Sequence, residues 1–145
     1  MTYYFALAGA GIVGICVALE PTVNSALAKL ITPRLAALHS FLLGTILVLI
    51  INALAGGFKE YRNILKAPPY LWIGGLLGAT VVYLGARVAG VIGIASTVTV
   101  MVAVQLVTGI AIDSLGLLGT AKVPLDTSRV IGVIIMVIAV KLIVK

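Results

Sequence analysis

Five runs of mostly apolar residues, each about as long as a membrane-spanning helix, limit what this sequence can fold into. A helix needs roughly 20 consecutive apolar residues to cross the hydrocarbon core of a bilayer. The runs predict spanning helices at about 4–32, 35–55, 69–87, 92–115 and 128–144. The sequence therefore predicts an all-α integral membrane protein, with residues 1–145 forming a single transmembrane domain.

Composition agrees with a membrane location. The chain is 62% hydrophobic and 10% charged, whereas soluble domains have about 45–50% apolar and about 25% charged residues. The net charge of +6 lies in predicted loops, where Lys and Arg meet lipid headgroups. The sequence has no basic patch interleaved with aromatic residues, the pattern that is typical of nucleic-acid binding. We expect the lipid bilayer as partner, a multi-pass location in the inner or plasma membrane, and no nucleic-acid partner.

A carboxylate lies inside the first apolar run, with about 15 apolar or small residues before Glu20. A carboxyl group at membrane depth is costly and usually faces a protein interior or watery cavity that serves an ion or solute path. Pro21 weakens the helix next to it by removing a backbone donor, and Asn24 lies one turn further on the same face. The pattern predicts a binding site at Glu20 and Asn24. The alternative is that Glu20 extends from a helix end to the headgroups.

The fourth run carries a second polar stripe. Thr97, Met101, Gln105 and Thr108 are spaced by three or four residues, which places them on one helical face. An amide such as that of Gln105 needs a hydrogen-bond partner in hydrocarbon. It either joins helix 4 to a neighbour or lines the cavity that Glu20 faces. The candidate substrate- or proton-binding residues are therefore Glu20, Asn24, Thr97, Met101, Gln105 and Thr108.

Small residues indicate where helices pack closely. Gly74 and Gly78 form a Gly-x-x-x-Gly pair, and Gly90 and Gly93 continue towards the next helix. Small residues let helix backbones approach each other in lipid, so these glycines, together with Pro21, are candidates for packing or gating.

Three other polar residues receive structural interpretations. We expect Arg87 to end helix 3 at the headgroups. Asp113, near the end of helix 4, is expected to order the following loop or reach the headgroups. We interpret His39, near the start of helix 2, as interfacial.

Loop charges do not favour either orientation. With five helices, one side carries Lys59, Arg62, Lys66, Lys122 and Arg129, and the other carries Lys29, Arg34, Arg87, Lys141 and Lys145. An excess of Lys and Arg in cytoplasmic loops sets membrane orientation. With five on each side, we expect the chain to insert both ways; the alternative is that one strong loop decides.

The sequence contains no pattern of an enzyme or a cofactor site. It has one His, four acidic residues and the single cysteine Cys16, and none form a catalytic set or metal-ligand spacing. We expect no enzyme activity, metal or cofactor. Besides a transporter, a dual-topology ion channel and a non-transporting membrane assembly partner remain open.

Several segments resemble a known family. They are similar to the short, YdcZ-type branch of the drug/metabolite transporter superfamily. In the first half of the chain the resemblance lies in Glu20–Leu27 and Phe41–Gly44, and in the second half it lies in Gln105–Gly119, Pro124–Asp126 and Arg129–Gly132. That branch often has Gln at the polar position of helix 1. The Glu20 of this chain makes it also similar to the small multidrug resistance transporters, which are four-helix antiparallel dimers with a membrane-embedded Glu.

The resemblance implies a dimeric secondary transporter. One five-helix chain would be one inverted-repeat unit of a ten-helix assembly, with a midplane site between the repeats. We expect an antiparallel homodimer that moves a small molecule or ion, with cations as one candidate class and proton coupling through Glu20. A heterodimer with a related, oppositely inserted chain is the alternative assembly.

Overall fold

The computed structural model describes residues 3–144, which form helices and turns with no β-strand among them. The α-helices are α1 (Tyr3–Leu30), α2 (Pro33–Leu54), α3 (Gly74–Ile92), α4 (Ile94–Leu115) and α5 (Thr127–Ile143). Short 3₁₀ segments occupy Lys59–Lys66, Pro69–Ile73 and Leu117–Gly119. Lys145, which was counted in the charge balance, lies outside the described residues.

Within residues 3–144, four stretches are long and apolar enough to cross a membrane: Tyr3–Leu30, Pro33–Leu54, Pro69–Ile92 and Ile94–Leu115. These stretches fit the predicted all-α integral membrane protein. Helix α5 has 17 residues, at the short limit of the roughly 17–25 residues of a spanning helix. A fifth span at α5 stays a prediction.

The chain divides into two compact units, one ending at Val91 and the other starting at Ile92. In the first unit α1 packs against α2, and in the second α4 packs against α5. Small residues such as Ala36 and Ala86 are buried, while most large apolar side chains are exposed. This distribution suits lipid, where small residues let helices approach and large ones can face acyl chains. The single-domain organisation stays a prediction.

Proline and glycine set the ends of α1 and α2. Thr32 has extended backbone dihedrals, and its Oγ1 accepts a hydrogen bond from the Leu35 N–H at 3.2 Å. A residue before proline disfavours the helical conformation, so α1 ends at Leu30 and α2 starts at Pro33, close to the predicted boundaries. At the other end of α2, the Gly57 N–H donates to the Asn52 carbonyl at 2.8 Å, as in a Schellman cap.

Helix α3 differs most from the prediction. It begins at Gly74, after the 3₁₀ segment at 69–73, and continues to Ile92 rather than ending at residue 87. Arg87 therefore lies inside α3, which corrects its interpretation as the last residue of the helix. The helix stops only where Gly93 adopts a φ of 82° and a ψ of 161°, dihedrals that favour glycine because it lacks a Cβ atom.

Side-chain and glycine caps define the ends of α4 and α5. Gly116, in a left-handed conformation with φ 66°, ends α4. Asp126 caps α5 by accepting the Arg129 N–H on its Oδ1 at 2.8 Å. A short acidic side chain directly before an apolar run is typical of an N-cap.

Candidate functional site

Three polar side chains form a hydrogen-bonded chain between α1 and α2. The Ser40 hydroxyl donates to the Asn24 carbonyl oxygen, and the Asn24 amide nitrogen donates to Glu20 Oε1. Asn24 is 2% exposed, so its amide is withdrawn from solvent and lipid alike. Both of its polar atoms are paired, as a buried amide requires. Asn24 therefore joins the two helices and fixes the position of the Glu20 carboxylate.

Glu20 and Ser40 line a cavity of about 800 Å³ within the first unit. Most of the wall comes from one face of α2, which is completed by the segment after it and by one residue of α3. The remaining lining residues are Phe41, Gly44, Thr45, Val48, Leu49, Asn52, Phe58, Tyr61 and Val82. Among the described residues that line this space, Glu20 is the one carboxylate, and none is Lys, Arg or His. The cavity is therefore mostly apolar, with a single acidic group at its wall.

Of the two residues predicted on α1, Glu20 lines this cavity and Asn24 contacts Glu20 without lining it, whereas the α2 wall was not predicted. Ser40, Thr45 and Asn52 are the signal that could have revealed it, because they are polar residues in an otherwise apolar run. Thr45 and Asn52 are seven residues apart, about two helical turns, and so share a face. His39, by contrast, is exposed and is not among the residues that line the cavity.

Glycines of α3 lie against the helices that carry the site. A Cβ atom added at Gly78 would lie 3.3 Å from Phe41 Cζ, and one at Gly85 would lie 3.7 Å from Pro21 Cβ. A Cβ at Gly90 would lie 3.4 Å from Ser25 Oγ. Pro21 itself is fully buried. These contacts place the predicted packing residues Pro21, Gly78 and Gly90 at helix contacts close to Glu20 and its cavity.

The other two predicted packing glycines have no such contact. A Cβ added at Gly74 or Gly93 would meet nothing within 4 Å among the described residues. Gly93 instead has the positive φ that ends α3, whereas Gly74 starts that helix. Of the Gly-x-x-x-Gly pair, only Gly78 therefore makes a close packing contact here.

Helix α4 carries the remaining candidate residues in the second unit. Thr97 is buried, and its hydroxyl donates to the Gly93 carbonyl at 2.7 Å. Met101 is half-buried, whereas Gln105 and Thr108 are exposed. Thr108 borders an apolar groove of about 290 Å³ between α4 and α5. A common cavity for these residues and Glu20 stays a prediction.

Asp113 organises the loop that follows α4. Its Oδ2 lies 3.6 Å from Arg129 Nη1, and its carbonyl oxygen accepts the Val123 N–H at 2.9 Å. The Gly116 N–H also donates to this carbonyl, at 3.3 Å. The carboxylate thus pairs α4 with α5 while the backbone holds the loop, which favours the loop-ordering interpretation of Asp113.

The helices and the cavity define a class: an α-helical membrane protein that holds one carboxylate at the edge of a largely apolar, solute-sized space. The sequence profile of the family described as "Putative inner membrane exporter, YdcZ" matches residues 5–142. The chain therefore belongs to the YdcZ family of inner membrane exporters. Searches of curated proteins and of solved structures found no match.

Family membership confirms three predictions. The resemblance to the YdcZ-type branch is correct, the location is the inner membrane, and the protein is a transporter rather than an enzyme. The wider similarity to small multidrug resistance transporters stays a prediction, as do the antiparallel dimer and proton coupling.

Proposed function

We propose that this exporter carries a small cation out of the cell, and that Glu20 binds the cation in the 800 Å³ cavity. The observation that carries the proposal is the character of the lining, in which one carboxylate stands among apolar, aromatic and neutral polar side chains. A lone carboxylate without a basic partner attracts a cation because the interaction is strengthened where water is scarce. Apolar walls with few polar groups are typical of small-molecule sites.

We further propose that protons compete with the cation for Glu20. A carboxylate binds a proton or a cation through the same oxygen atoms, so the cation binds as the proton leaves. Asn24 supports this exchange because its amide donates to one carboxylate oxygen while Ser40 holds the amide in place. The carboxylate therefore keeps one position in both states, and the second oxygen is the ligand for the cation or the proton.

The proposed working unit is an antiparallel homodimer in which two chains form an inverted repeat and alternate access around a shared site. The equal division of Lys and Arg residues supports insertion in both orientations. In this arrangement Thr97, Met101, Gln105 and Thr108 of α4 would complete the cavity, with two Glu20 carboxylates facing it.

Competition is tested by measuring the affinity of the purified protein for a series of tetraalkylammonium probes at several pH values. The cation must displace a proton, so affinity should fall as pH is lowered, by up to about tenfold per pH unit for one competing proton. Glu20→Gln should weaken binding and abolish this pH dependence. Glu60→Gln is the matched control, because Glu60 is an exposed carboxylate outside the cavity. Unchanged pH dependence in Glu20→Gln would refute the role of Glu20.

Transport by a carrier is tested separately in proteoliposomes. A proton gradient should drive uphill accumulation of the bound probe, and the flux should saturate. A current that rises linearly with voltage would instead identify a dual-topology channel, and the absence of any flux despite binding would favour an assembly partner.

A further inference from the structure

A second recess in the first unit is built around two arginines. Arg34, at the start of α2, and Arg87, in α3, line a space of about 470 Å³ together with Thr32, Pro33 and Tyr83. This recess shares no lining residue with the Glu20 cavity. Both arginines are exposed, so a ligand can reach their guanidinium groups. We propose that the recess binds a phosphate group, either that of a lipid headgroup or free phosphate.

The two arginines of the recess have no acidic partner within the described part of the first unit. Within the described part of the first unit, the acidic residues are Glu20 and Glu60. Glu20 lies ten residues before the end of α1, about 15 Å along the helix axis, and Glu60 follows the opposite end of α2. No ion pair among residues 3–144 involves Arg34 or Arg87. Two guanidinium groups in one recess repel each other, and an anion between them removes this cost.

The available donors suit phosphate. Arginine presents a planar fork of N–H groups that binds phosphate through two parallel hydrogen bonds. Arg87 Nη1 donates to the Tyr83 hydroxyl oxygen at 3.3 Å, which leaves the Tyr83 O–H itself free to donate to a ligand. The first turn of α2 contributes little, because Pro33 has no N–H and the N–H groups of Leu35 and Ala36 both bond to Thr32. The guanidinium groups therefore carry the recognition.

The position in the fold favours a ligand at the membrane boundary. The recess lies where α1 turns into α2 through Ile31 and Thr32, and Arg87 is five residues before the end of α3. Both arginines therefore lie near helix ends, and the ends of a spanning helix meet the headgroup region of a bilayer.

The test measures the thermal unfolding temperature of delipidated protein in detergent, with four additions compared. Phosphatidylglycerol and inorganic phosphate are the probes, while diacylglycerol, which has no phosphate, and sodium chloride at equal ionic strength are their controls. Stabilisation by phosphatidylglycerol alone assigns a lipid phosphate, and stabilisation by inorganic phosphate assigns a free one. Stabilisation by neither probe above its control overturns the proposal.

Variants test whether the recess is the origin of the rise in unfolding temperature. The double variant Arg34→Gln/Arg87→Gln should lose the shift and bind the probe at least about tenfold more weakly, since charge-assisted hydrogen bonds are lost. Arg62→Gln/Lys66→Gln removes equal charge from outside the recess and should keep the wild-type shift. A wild-type shift in the first variant, or an equal loss in the second, would overturn the proposal.

A third variant covers the case in which the double glutamine variant fails to fold. Arg34→Lys/Arg87→Lys keeps the charge but removes the planar fork, so it should bind the probe more weakly than the wild type. Full wild-type binding by this variant would mean that charge alone is sufficient, which would overturn the assignment of the recognition to the guanidinium groups.

Discussion

Asn24 lies one helical turn after Glu20 on α1 and donates its amide N–H to the Glu20 carboxylate, while its own carbonyl oxygen accepts the Ser40 hydroxyl. The buried amide thus connects the one carboxylate of the cavity to the neighbouring helix. Its removal would leave two polar groups without their partner in a region where replacement by water is difficult. The proposed site therefore depends on a residue that does not itself line the cavity.

Asn24→Ala is expected to lower both stability and cation affinity. The Glu20 and Ser40 side chains lose their shared partner, at a cost of about 1–3 kcal/mol for an unsatisfied buried group. Thermal unfolding in detergent measures the loss of stability, and probe titration measures affinity. Thr22→Ala is the control, because the exposed Thr22 hydroxyl donates only to the Ala18 carbonyl of its own helix. Equal effects of the two variants would show that Asn24 has no special role.

Gly78→Ala is expected to disturb the cavity through Phe41. The added Cβ would lie 3.3 Å from Phe41 Cζ, so the ring must shift by a few tenths of an ångström. Because Phe41 lines the cavity, probe affinity should change together with stability. Gly74→Ala, one turn earlier at the start of α3, places its Cβ in open space. If Gly74→Ala weakens binding as much as Gly78→Ala does, the contact with Phe41 is not the cause.

Asp113 and Arg129 are expected to show a small but measurable coupling. The Arg129 and Asp113 side chains are 30% and 44% exposed, respectively, so solvent screening limits the pair to about 0.2–1 kcal/mol. A double-mutant cycle with Asp113→Asn and Arg129→Gln isolates this energy in thermal or chemical unfolding. The coupling should shrink as salt is raised. Strictly additive effects at low salt would mean that the loop is held by its backbone hydrogen bonds alone.

Local sequence signals predicted most helix boundaries because the breaking residues act on their own backbone. Pro33 and Gly56-Gly57 delimit α2, and Asp126 caps α5. Arg87 misled the prediction for α3, because a long charged side chain can reach the membrane surface from inside a helix. The helix continues until Gly93, whose positive φ ends it.

For the candidate site, the sequence was informative only where a single helix defines the geometry. Glu20 and Asn24 share a face of α1 at a spacing of four residues, and this relationship can be read from the sequence. The role of Ser40 and the aromatic wall depend on how α2 lies against α1, which no local signal specifies. Thr45 and Asn52 mark one polar face of α2, but the residues that stand opposite that face are set by how the helices pack, so the cavity required the structure.

Membrane orientation is expected to be mixed and easily biased. Cys16 is the only cysteine, so Cys16→Ala provides a background in which single cysteines at Tyr3 or Val144 report each end of the chain. In intact cells, a membrane-impermeant thiol reagent should label a fraction of each terminus from outside, because Lys and Arg are divided five to five. Labelling of each terminus from one side only would refute dual insertion.

The same labelling also tests whether the equal division of Lys and Arg causes the mixed orientation. Leu65→Lys/Leu125→Lys adds two positive charges to exposed loop positions on one predicted side, which makes the count seven to five. This variant should keep the side with the added lysines in the cytoplasm, so each terminus should be labelled from one side only. The control variant Leu65→Gln/Leu125→Gln should still show mixed labelling.

A chain locked in one orientation cannot form an antiparallel homodimer, so the lysine variant should lose transport. Transport should return on co-expression with a variant biased the opposite way, and full transport by the locked chain alone would show that the working unit is not antiparallel.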